Sequence, residues 1–261
     1  DIMDHRKTEQ LIDTLDKVEQ NRKECYIREF SIEHFHDSKV FETLIPKICK
    51  IFREENEELT GFENEEILAE YQIYKTPGYV YMKGNVQIYS AGKQAADISA
   101  FPEGIAVAVG SEEDTPDICP DQTIDKVFTI ENLTSFYRFK QEHSLVIYLG
   151  GYHNRSRRNL LMQIYQKLPD AQYYHFGDLD AGGFYILEHL KRKTGIPFQM
   201  FQMDIETLKK YEDYAKPLTE NDKKRLMQLE KMELPDEERK LITYMLQKGI
   251  KLEQECISES Q

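Results

Sequence analysis

The second half of the chain alternates short apolar runs with amphipathic stretches. The apolar runs have the length of strands, and the stretches between them repeat apolar residues at helical spacing. We predict strands over residues 127–130, 145–149, 173–176 and 198–203, and helices over 135–140, 157–168 and 181–193. Strands that alternate with helices favour right-handed crossovers and a parallel sheet with helices on both faces. The predicted fold class is therefore α/β for residues 123–261.

The start of the chain has a different pattern. Apolar residues at helical spacing predict amphipathic helices over 7–24 and 38–55, and a short run over 27–35 predicts a strand between them. Pro46 lies inside the second helical pattern, where it is expected to break or kink the helix.

Residues 67–109 contain short β-rich runs separated by the turn signals Thr76-Pro77-Gly78 and Lys83-Gly84-Asn85. These runs, at 71–74, 79–82, 86–89 and 105–109, predict a small antiparallel sheet. Residues 111–122 are acidic, carry two prolines and predict a linker. The chain is thus expected to place a smaller α+β region, residues 1–115, before the α/β region.

Composition narrows the classes of function. The chain has 261 residues, of which 40% are hydrophobic, so it can bury a substantial core. A net charge of −13 argues against non-specific nucleic-acid binding over the whole surface, although it leaves room for a local basic groove. The four cysteines form no C-x-x-C pair, which argues against a zinc cluster and fits a reducing cytoplasm. The first residues, from Asp1, carry no signal-peptide pattern and are compatible with the cut end of a longer protein.

Acidic residues follow two of the predicted strands. Glu131 closes the first strand of the α/β region, and Asp178 and Asp180 follow the third. The carboxyl ends of parallel strands are where such sheets place their sites, so these three side chains meet if the two strands are neighbours. Clustered carboxylates repel one another, and Mg²⁺ removes that repulsion because it prefers oxygen ligands. The alternative for the D-x-D pair is ordinary surface capping.

Two further groups lie near the same edge of the sheet. Gly182 and Gly183 begin the helix after Asp180, where they either let a phosphate approach the helix N-terminus or permit tight packing. Basic residues follow the second strand and are candidates for phosphate contacts, with solvated charge at a helix start as the alternative: Arg155, Arg157 and Arg158. His153 lies beside them and is expected either to touch phosphate or to be polar surface.

The order of these elements resembles a Toprim domain, which has a Glu after its first strand and a D-x-D after its third. Residues 129–136, 177–184 and 252–255, together with 36–42, resemble the C-terminal domain of JetD proteins more closely. JetD proteins are the nuclease subunits of the Wadjet plasmid-defence system and are similar to the A subunit of type IIB topoisomerases. The resemblance covers roughly residues 25–257.

The resemblance implies divalent-metal-dependent cleavage of double-stranded DNA by a homodimer that works with an SMC-type loop-extruding complex. Carried over by motif, Asp178 and Asp180 would bind Mg²⁺ or Mn²⁺, and Glu131 would be a ligand or the general acid or base. Asn132 would brace that Glu or touch phosphate. Glu255 is a further candidate ligand, with a surface helix acid as the alternative.

Two alternatives to a nuclease stay open. A topoisomerase-like strand transferase needs a tyrosine nucleophile on a winged helix ahead of the Toprim module, and none of the 16 tyrosines lies in a clear winged helix. Hydrolysis by metal-activated water is therefore favoured over a covalent tyrosyl intermediate. The other alternative is a non-catalytic DNA-binding or assembly module, which a failure to bind metal would favour.

Overall fold

The computed structural model describes residues 2–56, 59, 62–75, 78–109, 115–150, 153 and 155–257, which form helices and mostly short strands. The helices are α1 (Ile2–Gln20), α2 (Ile27–Phe35), α3 (Val40–Glu55), α4 (Asn64–Glu70), α5 (Leu133–Arg138), α6 (Arg155–Lys167), α7 (Ala181–Thr194), α8 (Ile205–Lys210), α9 (Glu220–Leu229) and α10 (Asp236–Lys248). The strands are β1 (Cys25–Tyr26), β2 (Ile73–Tyr74), β3 (Gly78–Gly84), β4 (Val86–Ser90), β5 (Lys93–Asp97), β6 (Ile105–Val109), β7 (Asp117–Pro120), β8 (Lys126–Ile130), β9 (Ser144–Tyr148), β10 (Gln172–Phe176), β11 (Gln199–Met200), β12 (Lys216–Pro217) and β13 (Ile250–Lys251). None of the helices in these ranges is long and apolar enough to cross a membrane.

The chain divides into two compact units, one built mainly from residues up to Gly78 and the other mainly from Tyr79 onward. The first unit contains helices α1 to α4 and a two-stranded parallel sheet formed by β1 and β2. The predicted strand over 27–35 is wrong, because this segment is α2. Ile27 and Phe30 are buried three positions apart, and the Glu29 carboxylate accepts from the Tyr26 N–H as helix starts require.

The prediction that Pro46 breaks the helix is wrong. Pro46 lies inside α3, which runs from Val40 to Glu55 without interruption. The buried side chains of α3 fall on one face and include Phe41, Ile48 and Phe52. Burial of that face stabilises the helix, and this gain outweighs the backbone hydrogen bond that a proline removes.

A six-stranded sheet forms the centre of the second unit, with the order β11-β10-β8-β9-β3-β6. β8 pairs in parallel with β9 on one side and β10 on the other, and β10 pairs in parallel with β11. This confirms the α/β fold class with a largely parallel sheet flanked by helices. The fourth parallel strand is shorter than predicted, because β11 contributes only Gln199 and Met200 to the pairing.

The predicted small antiparallel sheet over 67–109 is wrong in its membership. β3 and β6 join the central sheet, where β3 runs antiparallel to β9. β4 instead pairs with β5 and β7 in a separate three-stranded antiparallel sheet. The turn signal at Lys83-Gly84-Asn85 is therefore a crossing between sheets and not a hairpin. Gly84 has a φ of 139° and lies against the main-chain oxygen of Ser144, so a side chain there would collide with β9.

The core cluster of the second unit packs against one face of β8. Phe128 and Ile130 of β8 are buried together with Phe176 of β10 and Phe184 of α7. Helices α9 and α10 and the segment after them contribute Leu226, Leu229, Leu241, Ile242, Met245 and Leu252 to the same cluster. This packing fixes the carboxyl ends of β8 and β10 next to each other at one edge of the sheet.

Candidate functional site

Glu131 and Asp178 meet at the carboxyl ends of two neighbouring strands. Ile130 of β8 is paired with Phe176 of β10, and the Glu131 N–H continues the ladder by donating to Phe176 O at 3.1 Å. Two residues after Phe176, the main-chain N–H of Asp178 donates a hydrogen bond to Glu131 Oε2 at 3.3 Å. The expectation that Glu131 faces the D-x-D segment depended on the first and third parallel strands being neighbours, and the sheet order meets that condition.

Asp180 occupies a different position from Asp178. It is the N-cap of α7, and its Oδ1 accepts from the Gly183 N–H at 2.9 Å. Capping of this kind satisfies an amide that the first turn of a helix leaves without a partner. The surface-capping alternative thus describes one oxygen of Asp180, while the main chain of Asp178 bonds to the Glu131 carboxylate.

Burial and nearby acids shift the proton affinity of Asp178. Burial is the largest of the effects that together raise its pKa to about 6; the charges of Asp180, Glu255 and Glu253 add to the rise, and a hydrogen bond from the Gln254 N–H opposes it. A carboxyl that is desolvated among like charges holds its charge at a cost, and a cation beside it would lower that cost. A cation bound at this site would therefore stabilise the charged form of Asp178.

Close packing explains two glycines at this edge. A side chain on Gly177 would strike Glu131 Oε2 and His175 Nε2, and a side chain on Gly183 would run into the main-chain carbonyl of Asp178. A Cβ on Gly182 would meet only the Asp180 carboxylate, at 3.0 Å. For Gly183 the packing explanation has direct structural support. Contact of Gly182 or Gly183 with a phosphate stays a prediction.

The last described part of the chain, residues 250–257, lies along the same edge, and we call it the C-terminal strap. Asn132 caps α5 by accepting from the Ser135 N–H at 3.0 Å, and its Nδ2 donates to Glu255 Oε1 at 2.5 Å. Asn132 thus braces Glu255, a different carboxylate from the one that the resemblance suggested. This contact brings Glu255 of the strap to the rim of the site.

Gln254 of the strap is a residue that sequence reasoning missed. Its backbone and side chain bond to the segments that carry Asp178 and Glu131. The stretch 252–255 was singled out by resemblance, yet only its Glu255 was considered, since an amide side chain carries no charge to suggest a site. The sequence did contain one indication, because Gln254 is a neutral residue between the two acids of this motif, Glu253 and Glu255.

The three predicted arginines lie in different surroundings. Arg158 is buried, and its guanidinium donates to His153 O at 2.8 Å. Burial raises the pKa of Tyr148 at the end of β9, where the charge of Arg157 opposes the rise and that of Glu131 adds to it. The charges of Arg157 and Glu131 therefore both affect the pKa of Tyr148. Arg155 begins α6, and its side chain lies outside the described residues.

The prediction of His153 as polar surface is wrong, because the side chain is buried. Its ring lies tilted against that of His189 with centroids 4.8 Å apart, and His153 Nε2 lies 3.3 Å from His189 Nδ1. His175 is also buried, with Nδ1 2.9 Å from Thr129 Oγ1. Burial lowers the pKa of His175 and of His189 to about 3 and lowers that of His153 well below its usual value. These histidines are neutral at physiological pH and line the inside of the fold.

The donor atoms at the site fit a hard divalent cation. Carboxylate oxygens are the ligands that Mg²⁺ selects, and it is commonly bound by one or two carboxylates with water in the other positions. Among the residues that the structure describes, no three His, Cys, Asp or Glu side chains converge as a complete ligand set. Glu131 and Asp178 would supply carboxylate oxygens to such a hydrated cation. Asp180 and Glu255 stand next to them as further acids.

Comparison with known proteins gives two findings. The family model described as "Wadjet protein JetD, C-terminal" matches residues 114–261. Among curated proteins, this chain is similar to "Wadjet protein JetD" of Bacillus cereus (strain Q1), with 29% identity over 262 residues that cover 98% of this chain and 63% of that protein. The chain thus spans just under two thirds of the length of this relative.

Proposed function

The chain belongs to the family of JetD proteins, and we propose that it is a divalent-metal-dependent endonuclease that cleaves double-stranded DNA within the Wadjet defence system. The observation that carries the proposal is the hydrogen bond from the Asp178 N–H to the Glu131 carboxylate at the carboxyl ends of β8 and β10. It supports a single acidic site at the position where parallel sheets bind ligands.

In this proposal, Asp178 and Glu131 hold the cation, with Asp180 and Glu255 as further acids close to it. A bound Mg²⁺ or Mn²⁺ would polarise a phosphate oxygen and make water a better nucleophile. Glu131 would alternatively act as the general base, taking a proton from the attacking water through the oxygen that does not accept from the Asp178 N–H. The raised pKa of Asp178 supports the choice of this carboxyl as a ligand, since desolvation is relieved by a bound cation.

Contacts with DNA are proposed for the groups around this acidic site. Arg157 and Arg155 would supply positive charge from the start of α6, and Gly182 and Gly183 would present the first amides of α7 to a phosphate. Asn132 would contribute through its amide at the rim. A net charge of −13 disfavours tight DNA binding by one isolated copy. We therefore propose a homodimer that acts with an SMC-type loop-extruding complex, which would deliver the DNA.

The test is cleavage of supercoiled plasmid in Mg²⁺ or Mn²⁺, with the loop-extruding complex added in a parallel series. Glu131→Gln and Asp178→Asn change one carboxyl to its isosteric amide, and Asp213→Asn makes the same change at an exposed position as the control. We expect both site variants to lose more than about 100-fold in cleavage rate while the control keeps wild-type activity. Cleavage that persists in both site variants would contradict the proposed site.

A second candidate is a non-catalytic DNA-binding or assembly module. It is favoured by the intramolecular use of carboxylate oxygens at the site, since Asp178 Oδ1 accepts from the Gln254 N–H and Asp180 Oδ1 caps α7. This candidate predicts DNA binding without cleavage even when the loop-extruding complex is present. A topoisomerase-like strand transferase would instead leave protein covalently attached to DNA after rapid denaturation, which the same assay detects.

A further inference from the structure

The C-terminal strap is joined to the D-x-D segment by main-chain pairing. Leu179 and Leu252 exchange both of their main-chain hydrogen bonds, at 2.9 and 3.1 Å, in an isolated antiparallel bridge. Leu252 and Ile257 are buried in the core cluster of the second unit. The strap is therefore anchored by apolar packing near both of its ends, and the residues between these anchors are held against the acidic site.

Gln254 lies between the anchors and uses all of its side-chain polar atoms. Its Oε1 accepts from the Asn132 N–H at 2.8 Å, and its Nε2 donates to Phe176 O at 3.0 Å. Its main-chain N–H donates to Asp178 Oδ1 at 2.7 Å. The residue is fully buried. One side chain thus bonds to the segment after β8 and to the last residue of β10.

These bonds couple the positions of the two principal acids. Asn132 directly follows Glu131, and Phe176 stands two positions before Asp178, so a change in spacing between the segments would break the Gln254 bonds. The neutral amide side chain of Gln254 offers a donor and an acceptor on adjacent atoms, so it can bond to both segments at once. A buried group left without its partner costs the full penalty of desolvation, which makes separation of the segments unfavourable.

We propose that Gln254 is a positioning residue that fixes Glu131 and Asp178 at the separation required for a divalent cation. This inference rests on the proposed function for its metal, whereas the coupling of the two segments stands on the hydrogen bonds alone. Gln254 touches no reacting group. It acts through the Asp178 carboxylate, whose rotation its N–H restricts, and through the main chain beside Glu131.

Two measurements separate positioning from a general contribution to stability. The first is amide hydrogen exchange of the chain in EDTA, and the second is titration with Mn²⁺ alone. Gln254→Met removes the donor and the acceptor at nearly constant length. Leu229→Ala, a core truncation on α9, serves as the control because it lowers stability and leaves the strap bonds in place.

We expect Gln254→Met to raise exchange at least tenfold in peptides that contain 131–133 and 177–179, and to weaken Mn²⁺ binding tenfold or more. Leu229→Ala should change Mn²⁺ affinity less than threefold.

The outcomes distinguish this inference from the proposed function. Wild-type exchange in both segments of Gln254→Met, or Mn²⁺ binding that survives Gln254→Met and is lost in Asp178→Asn, would overturn the positioning role and leave the metal site standing. If wild type binds no Mn²⁺ while Gln254→Met still loosens both segments, the metal function fails and the coupling by Gln254 is supported.

Discussion

Gly183, the third residue of α7, lies so close to the main-chain carbonyl of Asp178 that any side chain there would collide with it. The helix that Asp180 caps is therefore seated directly on the loop that carries Asp178. Such a contact between backbone and backbone cannot be relieved by rotation of a side chain. The position of the carboxylate and the position of the helix are coupled.

We expect Gly183→Ala to displace the Asp178 loop and to lower the free energy of unfolding by about 2 kcal/mol, as overpacking of a filled site does. Gly182→Ala is the matched control, because its Cβ would meet only the Asp180 carboxylate and alanine favours the helix. Urea unfolding of both variants measures the difference. Equal stabilities of the two variants would contradict the close approach at Gly183.

The sequence predicted the parts of the site that depend on local pattern and chain order. Alternating strands and helices place Glu131 and Asp178 at the same sheet edge once β8 and β10 are neighbours. The recruitment of β3 into the central sheet could not be predicted, because its pairing with β9 joins Met82 to Ile147 across a long separation in sequence. Gln254 was missed because its neutral side chain suggests no site and because its hydrogen-bond partners lie far away along the chain.

An ion pair in the second unit is expected to matter for stability. Lys191 of α7 donates to Glu188 at 2.8 Å and also bonds to the nearly buried carboxylate of Glu238 on α10. Burial raises the pKa of Glu238, and the Lys191 charge opposes the rise. Lys191→Met would leave that carboxylate buried without its cation and should cost about 3 kcal/mol in unfolding free energy.

The double variant Lys191→Met/Glu238→Gln should recover most of that loss, because no unpaired charge then remains inside. Lys223→Met, which breaks the exposed pair of Lys223 with Glu220, is the control and should change stability little. Chemical unfolding at pH 7.5 gives all the values. A loss in the double variant as large as that in Lys191→Met would show that lost packing, and not the unpaired charge, causes the effect.

The buried histidines predict a loss of stability in mild acid. Burial lowers the folded-state pKa of His189 to about 3 from a usual 6.5, so the unfolded chain takes up the proton first as pH falls. Stability due to His189 is complete above pH 6.5 and decreases as pH falls through 6.5 towards 3. Between pH 7.5 and pH 5.5 this single group should account for about 1.4 kcal/mol.

His189→Gln should therefore reduce the difference in unfolding free energy between pH 7.5 and pH 5.5 by about 1.4 kcal/mol, whatever the variant costs at pH 7.5. His143 is exposed and has a φ of 54°, a conformation that asparagine tolerates, so His143→Asn is the control. That control should retain the wild-type pH dependence. An unchanged slope in His189→Gln would mean that His189 is not held neutral in the fold.

The carboxyl of Asp178 predicts the opposite dependence on pH in metal-free protein. Its folded-state pKa is raised from 3.8 to about 6, so the folded state keeps the proton more tightly than the unfolded chain does. Stability due to this group is therefore present below pH 3.8 and lost as pH rises through about 6. At about 1.4 kcal/mol per pH unit over this interval, the loss reaches about 3 kcal/mol at neutral pH.

We accordingly expect Asp178→Asn in EDTA to be more stable than wild type at pH 7.5, and to lose that advantage at pH 4, because asparagine keeps an acceptor for the Gln254 N–H without a charge. Addition of Mn²⁺ should reverse the order, since a cation bound to the folded state stabilises only the protein that retains the carboxylate. Thermal unfolding of both proteins with EDTA and with Mn²⁺ measures this reversal in the order of stability. Asp213→Asn should follow wild type under all conditions. A variant that is less stable than wild type in EDTA at pH 7.5 would show that Asp178 contributes to the fold as a charged group, and its assignment as a desolvated ligand carboxylate would then be wrong.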